Sequence, residues 1–158
     1  MNYKIRKAKK RDMSAINELW CKLSYDQISK DPYFDQNIEF KEYGNLRFAM
    51  SKKYCAIFVA EVQNKIVGFI ETVLHHKDYY FPADDYAYVF HMYVEEDYRM
   101  GLTLSTDLVK ATEAWAASMG CSYLEADVLS HNTKMETLIK YYKFKPYTAR
   151  YVKRLREK

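Results

Sequence analysis

The chain has 158 residues, 49% hydrophobic and 29% charged, with a formal net charge of +4. That length suits one compact domain over residues 1–158 with no room for a second core, and the 16 Tyr and 8 Phe exclude a disordered chain. Cys21, Cys55 and Cys121 are far apart, which argues against a disulfide framework or a zinc site. No apolar run approaches membrane-spanning length and the N-terminus has no apolar leader core, so a cytoplasmic protein with no membrane partner is expected.

Charge is distributed unevenly. Lys4, Arg6, Lys7, Lys9, Lys10 and Arg11 crowd the start, and Arg150, Lys153, Arg154, Arg156 and Lys158 crowd the end. The middle is acidic, with Asp78, Asp84, Asp85, Glu95, Glu96 and Asp97. Such segregation is more often a solvated surface than a nucleic-acid interface, so nucleic acid is not the expected partner.

In chain order, Tyr3 to Ala8 predicts a short strand. Asp12 stands where a helix N-cap belongs, followed by Met13, Ile16, Trp20 and Leu23 at helical spacing. Pro32 stops that helix, and a second one is expected from about Ile38 to Met50. Ala56 to Val62 then alternates as a strand, turns at Gln63-Asn64-Lys65 and returns as Ile66 to Ile70, which is a hairpin. After a polar, aromatic loop over 77–85, a long strand is expected from Tyr86 to Val94.

A helix opens near Gly101 with Leu104, Leu108, Ala111, Trp115 and Met119 as its buried stripe, and Gly120 ends it. Tyr123 to Leu129 predicts a strand, Asn132 caps a helix with Met135, Leu138 and Tyr142 inward, and Phe144 to Leu155 predicts one or two closing strands. The order β-α-α-β-β-β-α-β-α-β describes an α/β (α+β) domain. Its mixed sheet would have six to seven strands and about four flanking helices.

The segment from Met92 to Ser105 carries the chemistry. A strand runs into a tight turn that opens a long amphipathic helix, whose first N–H groups lack internal partners and suit a phosphate. Arg99 adds a full charge there, and Thr103 and Ser105 add hydroxyls.

This segment resembles the GNAT superfamily of acetyl-CoA-dependent N-acetyltransferases, and the resemblance spans nearly the whole chain. Ile5 to Ala8 with Asp12 resembles that family's opening, and Val59 to Ile70 its second and third strands. Val94 to Arg99 resembles its "V-x-P-x-x-R" approach to the pyrophosphate loop. Glu113, Ala116 and Gly120 fall at its spacing. The interval from Asn132 to Phe144 has the length of "N-x-x-A-x-x-L-Y-x-x-x-G-F", and Tyr151 to Leu155 resembles the closing strand.

The resemblance implies a cytoplasmic transferase that moves an acetyl group from acetyl-CoA to a primary amine by direct attack, without a metal. The acceptor, a small molecule or a protein, is left open, as is homodimer formation. Carried over, the backbone of Met92 and Val94 would meet the acetyl and pantetheine amides. Arg99, Met100, Gly101, Leu102, Thr103, Leu104 and Ser105 would meet the pyrophosphate, and Asn132 would lie near the pantetheine arm.

Two departures stand out. The family's "R/Q-x-x-G-x-G/A" glycines fall on Thr103 and Ser105 by one count and on Leu102 and Leu104 by another. Ile139 occupies the place of the Tyr that often protonates the leaving thiolate, with Tyr142 one turn away as a core residue or substitute donor. For a general base the candidates are Tyr88, His91 if a bulge re-aims it, and Glu71. The two His at 75–76 point to opposite faces of a strand, which discounts a metal pair. The rival reading is a catalytically weak binding module of the same fold that acts through a macromolecular partner.

Overall fold

The alternating segments assemble into a five-stranded sheet in the computed structural model, which describes residues 2–31, 33, 53–75 and 85–155. Its strands are β1 (Lys4–Lys7), β2 (Cys55–Val62), β3 (Lys65–His75), β4 (Tyr86–Val94) and β5 (Tyr123–Ala126), side by side in sequence order. The first four pair antiparallel and β5 joins β4 in parallel. A parallel neighbour requires a crossover, and helix α2 (Thr103–Ser118) supplies it. Helix α1 (Met13–Ile28) follows β1, and α3 (Thr133–Tyr141) follows β5.

The expected mixed α/β sheet with flanking helices is what the chain forms, but the count differs. Five strands and three helices are present among the described residues, against six to seven and about four expected. The helix read over 38–50 and most of the loop over 77–85 lie outside the described residues. Phe144 to Leu155, read as strand, carries none: every residue after Phe144 in that stretch is exposed. A strand needs a neighbouring edge for its backbone groups, and none of the five described strands pairs with this basic stretch.

The β2–β3 turn is tighter than read. Gln63 and Asn64 both take positive φ (48° and 64°) between the paired residues Val62 and Lys65, a two-residue turn whose twist matches the strands. Ile16 and Leu19 of α1 pack with Ile57, Val59 and Phe69 on one face of the sheet. Leu104, Leu108 and Val109 of α2 pack with Ala60, Val67, Ile70 and Val94 on the other.

The buried stripe of α2 follows the i, i+4 row Leu104, Leu108, Thr112 and Ala116, with Val109 beside it. The expected line through Ala111, Trp115 and Met119 runs along its flank, and Met119 is 42% exposed. Gly120 ends the helix as read: at φ 85° it donates to the Ala117 carbonyl while Cys121 N reaches Ala116.

Asp12 has another task than capping. It makes no side-chain cap to α1. Its buried carboxylate accepts from Arg6 Nη1 and Nη2 at 2.7 and 2.9 Å and from Lys9 N at 2.7 Å. Arg6 Nε also donates to Glu61 at 2.6 Å, so one guanidinium joins β1, β2 and the entry to α1.

Candidate active site

β4 is longer than its parallel partner. The β4–β5 ladder runs from Tyr86 opposite Tyr123 to Val89 opposite Ala126, and β4 then continues to Val94. The sequence reading carried β5 on to Leu129, but the strand stops at Ala126. That shortening parts the two strands and leaves Phe90 to Val94 beyond the ladder with β5.

On its other side β4 bulges. Glu71 pairs with His91 and Thr72 with Val89, so Phe90 is an extra residue in β4. A bulge shifts the two-residue side-chain period by one. Val89 and Met92 therefore both pack with the α2-side core, while Tyr93 packs with the α1 side. His91 joins Tyr93 there, re-aimed by the bulge that the sequence reading required.

His91 Nδ1 lies 2.7 Å from Glu71 Oε2, and Trp20 Nε1 of α1 donates to His91 Nε2 at 3.4 Å. Glu71 is only 2% exposed. Tyr88 sits before the bulge, its ring 6.1 Å from Phe90 and 5.8 Å from His75. Burial, and then a hydrogen bond with Asp127, push the Tyr88 phenol up to about 12. Trp20 was read only as a helix core residue. No sequence signal joins it to His91, because the contact spans 71 positions.

At the far end of β4, Arg99 Nε donates to the Val94 carbonyl at 2.7 Å and its guanidinium lies 5.0 Å over the Tyr93 ring. Arg99 thus ties the strand end to the turn, with Nη1 3.6 Å from Glu96. Met100 is 89% exposed. Gly101 and Leu102 then take positive φ in succession (77° and 57°), and α2 starts at Thr103.

This pair explains the irregular glycine count: Leu102 takes a left-handed conformation that usually selects glycine. No side chain caps the first turn of α2 from Leu102. Thr103 Oγ1 donates to Gly101 O at 3.3 Å, and Ser105 Oγ donates to Leu102 O at 2.9 Å. Leu104 is buried in the core.

Tyr142 reaches this same turn. Its ring packs on the α2-side core and its hydroxyl donates to Ser105 Oγ at 2.7 Å. Ile139, Met135 and Leu138 are half-buried on α3, which has no fully buried residue. Asn132 caps α3 by accepting from Met135 N at 3.1 Å. The candidates therefore fall into two groups. Tyr88, His91 and Glu71 lie on the α1 face, and Arg99 to Ser105 with Tyr142 surround the start of α2, with Met92 and Val94 on β4 between them.

Leu102 offers a test of the strained turn. A left-handed conformation costs a non-glycine residue roughly 1–2 kcal/mol. Leu102→Gly loses half-buried side-chain area but relieves that strain, whereas Leu102→Ala loses the area and keeps the strain. Urea unfolding is expected to find the Ala variant less stable than the Gly variant, the reverse of the usual order in a helix.

A sheet parted beside a crossover helix with an open first turn is the architecture of an acyl-CoA-dependent transferase. A match to the acetyltransferase (GNAT) family spans residues 13–144, and the chain belongs to that family. It is an acyl-CoA-dependent acetyltransferase.

Similar solved structures include aminoglycoside N-acetyltransferase AAC(6')-Iy in complex with the bisubstrate analog CoA-S-monomethyl-acetylneamine (15% identity, TM-score 0.76, 99% of each chain). AAC(6')-Ih from Acinetobacter baumannii is similar at 15% identity and TM-score 0.73, over 99% of this chain and 100% of that one. A mutant BH1408 protein from Bacillus halodurans reaches TM-score 0.84 at 15% identity, over 96% and 99%. At such identities the likeness is one of fold. No curated protein matches the sequence. Among the described residues, no helix is long and apolar enough to cross a membrane, and no group of three or more His, Cys, Asp or Glu is placed to hold a metal.

Proposed function

We propose that the chain transfers an acetyl group from acetyl-CoA to the primary amine of a cationic acceptor by direct attack. The observation that carries this reading is the parting of β4 from β5 directly ahead of the open start of α2. The backbone of Met92 and the N–H of Val94, whose carbonyl is taken by Arg99, lie along that gap as an edge for the pantetheine amides. The N–H groups of Thr103 to Ser105 and the helix dipole suit the pyrophosphate.

His91 is the base that takes a proton from the amine. The Tyr142 hydroxyl, which here donates to Ser105 Oγ, would turn from it to protonate the departing thiolate. Asp85, Glu125 and Asp127 lie around the paired ends of β4 and β5 and favour a cationic acceptor. AAC(6')-Iy, whose structure holds an acetylneamine linked to CoA, makes aminoglycosides and other polyamines the first class to try.

One feature favours the rival binding module: Tyr147, Tyr151, Val152 and Leu155 stand exposed in the basic C-terminal stretch. Turnover separates the two readings. Acetyl-CoA at a hundred times its Kd adds roughly 2.7 kcal/mol, enough to raise the melting temperature by several degrees. Melts with acetyl-CoA, CoA and ATP, followed by thiol-release assays on polyamines, aminoglycosides and Lys peptides, give the result. Absence of a shift with both CoA species would end the acetyl-CoA assignment. A shift without turnover would favour the binding module.

A further inference from the structure

We infer that Glu71 is a positioning residue that fixes the tautomer of His91, so that Nε2 is the atom that takes the proton of the acceptor amine. The inference rests on the acetyl-transfer reading for the proton's source, but its geometry stands apart from that reading.

A neutral imidazole carries one N–H, and its partners decide which nitrogen holds it. A carboxylate can only accept, and Glu71 Oε2 lies 2.7 Å from Nδ1, so Nδ1 bears the hydrogen. An indole N–H can only donate, and Trp20 Nε1 points it at Nε2 from 3.4 Å. Two partners of opposite kind thus select the same tautomer. At 3.4 Å the indole is a weak partner, which an amine N–H can displace.

Phe90 is what makes the pair possible. In a ladder continued unbroken from Thr72 and Val89, Glu71 would lie opposite Phe90 and His91 would face α2. A carboxylate 2% exposed beneath α1 is an expensive group for a sheet to bury, and an apolar side chain would pack there more cheaply.

The proton balance closes. The acceptor arrives as an ammonium and gives one proton to Nε2, and the Glu71 carboxylate balances the imidazolium. The amine lone pair then forms the C–N bond as the C–S bond breaks. The second amine proton ends on the CoA sulfur, and the imidazolium returns its proton to water.

Imidazole nitrogen shifts test this, with the His91 signals assigned among the four His by a His91→Gln control. The wild type is expected to show a protonated Nδ1 and a bare Nε2. Glu71→Met in a Trp20→Phe background should move the hydrogen to Nε2. Trp20→Phe should not, because Glu71 alone suffices. With sisomicin and spermidine as probe amines, Glu71→Met should lower kcat about 10²-fold at unchanged KM for acetyl-CoA.

Where the Met variant fails to fold, the isosteric Glu71→Gln serves: its carbonyl keeps the hydrogen on Nδ1, and kcat falls for loss of the charge alone. A wild type protonated at Nε2, or a Glu71→Met/Trp20→Phe double variant with the wild-type tautomer, would overturn the inference. The expected tautomer shift without turnover of any amine would overturn the acetyl-transfer reading and the proton role, and leave Glu71 positioning His91.

Discussion

Asp12→Ala is expected to cost the fold about 3 kcal/mol or more, a large part of a typical domain's stability of roughly 5–15 kcal/mol. The reason is what the change leaves behind. Arg6, with a side chain only 13% exposed, loses a bidentate partner and keeps Glu61 as its one carboxylate, with a 3.3 Å bond to the Lys7 carbonyl. Removing one member of a buried pair costs more than an exposed pair is worth, because the remaining charge stays desolvated.

The Arg6 guanidinium, working against burial, holds the Asp12 carboxyl below the usual carboxylate range. A group whose folded pKa is depressed stabilises fully above its unfolded pKa of about 4, and that stability is lost as pH falls through the folded value. Urea unfolding at pH 7 should therefore show the full difference between wild type and Asp12→Ala. The difference should shrink on acidification below about pH 4. A pH-independent gap would place the effect in packing alone.

His91→Gln is expected to lower kcat/KM by about 10²-fold or more, within the range general base catalysis contributes. Tyr88→Phe should change it little. The two residues are near neighbours, yet their chemistry diverges. A phenol pushed up to about 12 is a weaker proton acceptor at neutral pH than an imidazole whose partners leave a lone pair on Nε2. Affinity for acetyl-CoA, measured by calorimetry, should survive in both variants. A large loss in Tyr88→Phe with an intact His91→Gln rate would reverse the assignment of the base.

A helix opening near Gly101, a hairpin turning within Gln63-Asn64-Lys65 and the helix stop at Gly120 were legible in the sequence, each to within two residues of its place in the fold, because each depends on residues within one turn of itself. Asp12 shows where local reading misleads. Its position before α1 fits a cap, but a guanidinium one strand away outbids the helix N–H groups for its carboxylate. Gly101 and Leu102 show the same limit in the turn that opens α2. Counting from either end misaligned the glycines, because a leucine holds a backbone conformation that its type does not advertise.

Closing strands over Phe144 to Leu155 were expected from alternation, and alternation alone does not provide an edge to pair with. The sequence by itself determined the mixed sheet, its helices and the family, since periodicity and motif order survive at any level of local error. Only the tertiary structure decided the geometry of the candidate site. Where β5 ends, which residue of β4 is extra, and what lies beside a buried carboxylate are set by pairing between segments far apart in the chain. Such pairing decides that Phe90 bulges, and the bulge turns His91 toward Glu71 and Trp20.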